Sequence, residues 1–199
     1  SSQSAAHTVN QLLALARAEG KEQAVHLQNV RLAPLATETV RDFVPRALDK
    51  RIDLGYEGPE PEQSTLHVRG HAVLLRELIR NLVDNALQYT AAGGTVTVRI
   101  VEDPFGQVVV LQVEDNGPGI PAAEREQVFQ PFYRALGTNV DGSGLGLAIV
   151  REIAEQHGAE ITLDDAWPRL PGAAADGSAN GNGVGARFTL RFRAVAAAP

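Results

Sequence analysis

Residues 71–90, HAVLLRELIRNLVDNALQYT, constrain this chain more than any other stretch. Read as one helix, they place Leu75, Leu78, Ile79, Leu82, Val83 and Ala86 on a single arc, wide enough to bury against a sheet. Glu77, Asn81 and Asn85 follow at i, i+4 spacing and form a polar stripe along the neighbouring edge. Each step of that stripe drifts only about 40° around the axis and rises roughly 6 Å. Asn competes with the backbone for hydrogen bonds and is a poor helix-interior residue. Two of them on one stripe therefore ask for a reason, and local capping is the plain alternative to a binding site. One face holds a domain together; the adjoining edge is free for chemistry.

The rest of the chain arranges itself around that helix. TVNQLLALARAE at 8–19 places Val9, Leu12, Leu13 and Ala16 in an amphipathic pattern with Gly20 as its stop, and residues 21–29 read as a polar linker. A short strand near 29–33 leads to a helix over about 35–50 whose buried face would be Leu35, Val40, Val44 and Leu48, with Pro45 expected to kink or split it. RIDLGYEG and STLHVRG read as short strands. After the central helix, stopped by Gly93 and Gly94, TVTVRIVED alternates strictly, with Val96, Val98 and Ile100 on one face. VVVLQVED, from Val108, is its antiparallel partner across a turn at Pro104 and Gly106. A polar helical stretch follows Pro121, then a Gly-rich segment, then a helix over about 144–157 ended by Gly158. AEITLDDA and VGARFTLRF close the domain as strands around a loop at 168–185 rich in Gly, Ala, Pro and Asn. Helices grouped beside a mixed sheet predict a two-layer α/β sandwich.

Composition excludes several classes. A chain of 199 residues with 44% hydrophobic content suffices for one full core with an appendage. A net charge of −6 without a basic run argues against nucleic acid as a partner. Without Cys there are no disulfides or thiolate metal sites. No apolar run approaches the roughly 18 residues of a membrane span, so these residues are not expected to cross a bilayer. The chain contains no Met, even at its start, which leads us to expect a piece of a longer protein whose remainder could be membrane-bound.

Two further motifs carry chemistry. DNGPGI lies at a strand end, where Asp115 can accept from an exocyclic amine while Gly117 and Gly119 let backbone approach a flat ring; an ordinary turn is the alternative. In GSGLGLAIV, Gly142, Gly144 and Gly146 precede an apolar helix, so bare N–H groups and a positive helix end can face phosphates. It is neither a Walker loop nor a dinucleotide fingerprint.

Taken together, Glu77xxxAsn81xxxAsn85-Ala86, Asp115-Asn116-Gly117-Pro118-Gly119, Phe129-Gln130-Pro131-Phe132-Tyr133-Arg134 and Gly142-Ser143-Gly144-Leu145-Gly146-Leu147 resemble, in order and spacing, the N, G1, F and G2 boxes of bacterial sensor histidine kinases. The resemblance implies an α+β Bergerat-type ATP-binding fold over 30–193, preceded by the end of a dimerisation and phosphoacceptor helix at 1–20 and the linker at 21–29, with a tail at 194–199. It implies ATP and Mg2+ as cofactors. Asn85 matches the magnesium ligand, and Asn81 stands one turn before it beside the phosphates. Tyr89 matches an aromatic on the adenine, and Asp115 the carboxylate that reads the adenine amino group, with Gly117, Gly119 and Ile120 seating the base. Phe129 and Phe132 match apolar anchors of a lid at roughly 133–143, and read equally well as core. Tyr133 and Arg134 belong to that lid, with Arg134 approaching the terminal phosphate. Gly142, Ser143, Gly144, Leu145, Gly146 and Leu147 complete the nucleotide site. Arg134, Asn81 and Glu77 are the candidate catalytic residues.

Two departures from the family pattern stand out. Gln88 occupies a position that is often Lys or Arg, removing one phosphate-neutralising charge. The acceptor motif, a His followed by an acidic residue and shortly by Pro, is missing around His7, His26, His67, His71 and His157, so this chain is not expected to phosphorylate itself. His157, before Gly158 at a helix end, reads as structural. The implied partners are a dimerisation and phosphoacceptor domain, a second copy in the intact kinase and a response regulator; the implied location is the cytoplasmic side of an inner-membrane receptor. One alternative is an ATPase of the same superfamily, disfavoured because Asn81 stands where such enzymes place a Glu base. The other is a non-catalytic module that binds nucleotide or a partner protein.

Overall fold

The structure, a computed structural model, describes residues 27–131, 133, 146–167 and 184–195. The helix expected at 8–19, most of the expected lid and of its glycine box, and residues 168–183 of the loop expected at 168–185 lie outside the described residues. Strand β1 (Gln28–Val30) opens the domain, so Gln28 and Asn29 belong to the sheet rather than to the expected linker. Helix α1 (Leu32–Asp49) leads to β2 (Asp53–Glu57) and β3 (His67–Gly70). The central helix, α2, spans Ala72–Tyr89. Strands β4 (Thr95–Glu102) and β5 (Val108–Asp115) form a hairpin. Helix α3 (Gly146–Gln156), β6 (Glu160–Asp165) and β7 (Ala186–Val195) complete the domain.

The seven strands form one sheet in the order β1-β3-β7-β5-β4-β2, with β6 also paired to β7. Every pairing is antiparallel except β2 with β4. Alternation sets the buried face: Val96, Val98 and Ile100 of β4, Val109, Leu111 and Val113 of β5, and Phe188, Leu190 and Phe192 of β7 all point toward the helices. Opposite them lie Leu75, Leu78, Ile79, Leu82 and Val83 of α2, with Val150 and Ile153 of α3. The arc read from the sequence is therefore the core-facing side of α2, widened by Leu74 and Leu87. The result is the expected two-layer α/β sandwich.

Helix α1 departs from expectation twice. It runs unbroken through Pro45, which sits on the exposed side, where water can satisfy the carbonyl that loses its N–H partner. Its buried residues are Leu32, Ala33, Leu35, Ala36, Thr39 and Ala47, whereas Leu48 is 69% exposed and Val40 and Val44 are half-buried. The reason is a ladder to α2. Glu38 pairs with Arg76 at 3.2 Å, Asp42 with Arg80 at 3.1 Å, Arg46 with Asp84, and Lys50 Nζ donates to the Leu87 carbonyl at 2.5 Å. These rungs rise together along both helices, so α1 and α2 run parallel, while Leu32, Leu35 and Ala36, with Val40 and Phe43 packed alongside, turn the apolar side of α1 to the core. Each exposed rung contributes only a few tenths of a kcal/mol to about 1 kcal/mol, but together they set register.

After Pro121 the expected polar helix is two 3-10 turns, Ala122–Glu124 and Gln127–Phe129. Only Val128 and Phe129 of the second are buried, too few apolar positions to support a longer helix.

Candidate functional site

One end of the sandwich gathers the C-termini of α2 and β5, the start of β4 and the entry to β7. Asp115, the last residue of β5, is 6% exposed. Its Oδ1 accepts from the Gly117 N–H at 2.9 Å and from the Ala186 N–H at 3.3 Å. Among the described residues Oδ2 accepts nothing. Burial pushes this carboxyl up to about 6, against the lowering effect of the two N–H groups. A carboxylate held with one satisfied oxygen and one free oxygen is an acceptor awaiting a donor.

Glycines allow the backbone around it to close up. A Cβ on Gly117 would stand 2.7 Å from the Tyr89 carbonyl, so this turn lies against the end of α2. Gly185 has φ +67, and a Cβ there would overlap the Asp115 carbonyl. Its N–H donates to the Gly117 carbonyl at 3.0 Å. Asn116 closes the β4 end: its Oδ1 accepts from the Thr95 N–H at 2.8 Å and its own N–H donates to the Thr95 carbonyl at 3.2 Å. Sequence reasoning missed Gly185, Ala186 and the bracing role of Asn116. Gly185, flanked by a Gly-rich segment and a strand, was the available signal, but nothing local ties it to a carboxylate 71 residues away from Ala186.

The stripe on α2 behaves less uniformly. Asn81 donates its Nδ2 to the Glu77 carbonyl at 2.8 Å, and its Oδ1 lies 3.1 Å from where a Cβ of Gly146 would stand. Gly146, the first described residue of α3, thus abuts Asn81. Leu147 is buried in the core. Asn85 is half-buried, and its side chain makes no hydrogen bond among the described residues. Glu77 is exposed and contributes its backbone rather than its carboxylate. Gln88 donates Nε2 to Asp84 at 3.0 Å.

Tyr89 and Tyr133 are half-buried; the Tyr133 hydroxyl bonds Glu124, which raises its pKa to about 12. Ile120 packs on the core, and its carbonyl accepts from Arg125, which also pairs with Asp165 at 2.8 Å. Phe129 is core, edge-on to Phe188 at 6.0 Å between centroids. Phe132, Arg134, Gly142, Ser143, Gly144 and Leu145 lie outside the described residues. A cavity of about 630 Å³ opens at the opposite end of the sheet, lined in part by Gly106, Gln107, Arg191 and Arg193, and none of the candidate residues reaches it.

The donor set limits what could bind here. No group of three His, Cys, Asp or Glu suited to a metal occurs among the described residues. A hard cation fits only if it arrives with other oxygens, its protein ligands being amides such as Asn85. A flat ring bearing an amine fits Asp115 Oδ2 beside the closely packed turn at Gly117.

Comparison with known proteins agrees with this geometry. Over 156 residues the chain is 40% identical to sensor protein kinase PmrB of Pseudomonas aeruginosa, covering 78% of this chain and 31% of that protein. It spans between about a fifth and a third of the length of the curated relatives it matches. Its fold superimposes on the mycobacterial sensor histidine kinase MprB with a TM-score of 0.68 at 28% identity, covering 84% of this chain and 98% of that one. Histidine kinase ThkA, solved in complex with response regulator protein TrrA, shares the fold with a TM-score of 0.63 at 22% identity, covering 85% of this chain and 42% of that one. No described helix is long and apolar enough to cross a membrane. Residues 70–196, which run from the end of β3 through α2, Asp115 and α3 to the residue after β7, match the model of the histidine kinase-, DNA gyrase B- and HSP90-like ATPases, and the chain belongs to that family.

Proposed function

We propose that this chain is the ATP-binding kinase domain of a sensor histidine kinase, and that residues 30–193 hold ATP so that its terminal phosphate is offered to a His on a separate helical domain. The observation that carries this reading is Asp115, a buried carboxylate with Oδ2 free beside a glycine turn packed on α2. Oδ2 would accept from the adenine amino group, with Gly117, Gly119 and Ile120 seating the ring and Tyr89 against it. Asn85 would offer its amide oxygen to Mg2+, and Asn81, beside Gly146, would sit near the phosphates. A bound magnesium ion would neutralise phosphate charge. Tyr133, Arg134 and the segment Gly142–Leu147 would close over the nucleotide, with Arg134 at the terminal phosphate. Positioning and electrostatics would supply most of the rate, as in phosphoryl transfer generally.

Hydrolysis is the weaker reading. A water-activating base would have to stand near Asn81, which is an amide, and the Glu77 carboxylate is exposed a full turn away. By analogy with ThkA and TrrA, the phosphate would pass from the acceptor His to a response regulator. Residues 1–20 would belong to the acceptor-bearing helical hairpin of a dimeric receptor, with this domain on its cytoplasmic side.

The test is a calorimetric titration with ATP, with and without magnesium, with released phosphate assayed in the same sample. Magnesium-dependent binding with negligible release, followed by transfer once a His-bearing helical domain is supplied, is expected. A folded protein that binds no ATP would overturn the reading, and rapid release would favour the ATPase.

A further inference from the structure

All of the cations on α2 are turned toward α1. Arg76 and Arg80 pair with Glu38 and Asp42, and Arg80 also lies over the Phe43 ring at 5.1 Å. Beside that row α2 presents three amides, Asn81, Asn85 and Gln88, at i, i+4 and i+7, with Gln88 the one next to the Asp84–Arg46 rung. Gln88 is not free to choose its orientation. Asp84, one turn earlier, receives Arg46 on Oδ1 and Gln88 Nε2 on Oδ2. An ionised carboxylate only accepts hydrogen bonds, so Gln88 must turn its NH2 group toward Asp84. Its carbonyl oxygen, which has no partner among the described residues, is then the group left to face outward beside Asn85. Asp84 is itself held from both sides, because Arg46 belongs to the ladder that Lys50 extends to the Leu87 carbonyl.

Resting on the nucleotide reading above, we propose that Gln88 acts as an acceptor, fixed in that role by Asp84 and Arg46 as positioning residues, and that ATP binding by this chain therefore depends unusually steeply on a divalent cation. A lysine at this place would neutralise phosphate directly. An amide oxygen repels phosphate and instead accepts from the water shell that magnesium keeps when bound. The consequence is an edge on which Gln88 turns its carbonyl oxygen outward beside the Asn85 amide, poor for the bare nucleotide and good for its metal complex. The ladder from Glu38 to Lys50 thus has a second role beyond registering two helices: it decides which end of one amide the site sees.

The experiment measures ATP dissociation constants in EDTA and in MgCl2 for the unchanged chain, for Gln88→Lys and for Asp84→Ala, with thermal melts of each. The quantity read is the ratio of the two constants, because a merely structural loss weakens both alike. In Gln88→Lys, metal-free affinity is expected to rise about tenfold while metal-loaded affinity changes little, so the ratio falls. Asp84→Ala frees the amide to turn its NH2 outward, so the ratio falls by a smaller factor even if the melt shifts downward. Ratios unchanged in both variants would overturn the acceptor role while leaving nucleotide binding intact. No binding by the unchanged, folded chain in either condition would overturn both.

Discussion

Two titratable groups, one half-buried and one buried, stand at opposite ends of the sandwich and are treated in opposite ways. His157, at the C-terminal end of α3, has both ring nitrogens employed: Nδ1 donates to the Ile153 carbonyl at 2.7 Å and Nε2 accepts from the His71 N–H at 3.1 Å. That arrangement needs a neutral ring, and burial lowers its pKa. It joins the end of α3 to the start of α2 and serves the fold alone. Asp115, at the other end, keeps its charge at neutral pH at a cost in stability and leaves one oxygen unused. The difference separates a structural end from a binding end: the first closes its polar groups on one another, and the second holds one open.

The sharpest way to break the comparison is at Gly185. Its positive φ and the overlap a Cβ would make with the Asp115 carbonyl mean that Gly185→Val should displace the carboxylate and the turn together. The expected loss is about 3 kcal/mol or more of stability, with nucleotide binding abolished, measured by denaturant melts and titration.

Asp115→Asn dissects the same end without unfolding it. Both backbone N–H groups reach Oδ1, which Asn retains, while an NH2 replaces the free Oδ2. Stability at pH 7 should rise by on the order of 2–3 kcal/mol, the amount a carboxyl raised from 3.8 to about 6 sacrifices by ionising in the fold. ATP affinity should fall roughly 10–100-fold, since a donor would then face the adenine amine. A variant that is no more stable than its parent would mean that Asp115 is not held at a cost.

The corresponding change at the structural end, His157→Ala, should do the reverse. It should destabilise by about 1–3 kcal/mol by leaving the His71 N–H unpaired, and the folded variant should bind ATP as its parent does.

The smallest effect distinguishes the two groups by pH. Asp115 binds protons more tightly folded than unfolded, so its penalty is absent below about pH 4 and complete above about pH 6. The stability gap between Asp115→Asn and its parent should therefore shrink as pH falls from 7 to 4, while ATP affinity of the parent weakens over the upper part of that range. His157 has the opposite sign. With its folded pKa below 6.5, its contribution is present above that value and is lost as pH falls through the lowered folded pKa. Acid melts of His157→Gln should be flatter than the parent's below pH 6.5.

Much of the fold was legible because periodicity is local. The arc from Leu75 to Ala86 and the alternation from Val96 to Ile100 each declare a buried face within a few residues, and the structure buries both. Helix α1 was misread for the same reason. Leu35 is buried and Val40 packs on the core as read, but Leu48 is exposed, and the ion pairs and Lys50 that line the helix on α2 have partners 37 or 38 residues away. At the site, Asp115 was singled out as a strand-end carboxylate beside glycines, and Asn81 and Asn85 as a stripe. Phe129, read equally well as lid or core, is core, a choice that depended on whether Phe188 lay within reach.

The sequence by itself determined the central helix, most of the strands, the family and the residue types offered at one end of α2. Only the tertiary structure decided what those residues can do: that Asp115 has one oxygen spoken for and one free, that Gly185 lies against its carbonyl, and that Gln88 turns its amide to Asp84. The physical reason is range. Secondary structure follows from side-chain spacing along a few turns, whereas the state of a carboxylate or the direction of an amide follows from donors, acceptors and burial supplied by distant segments.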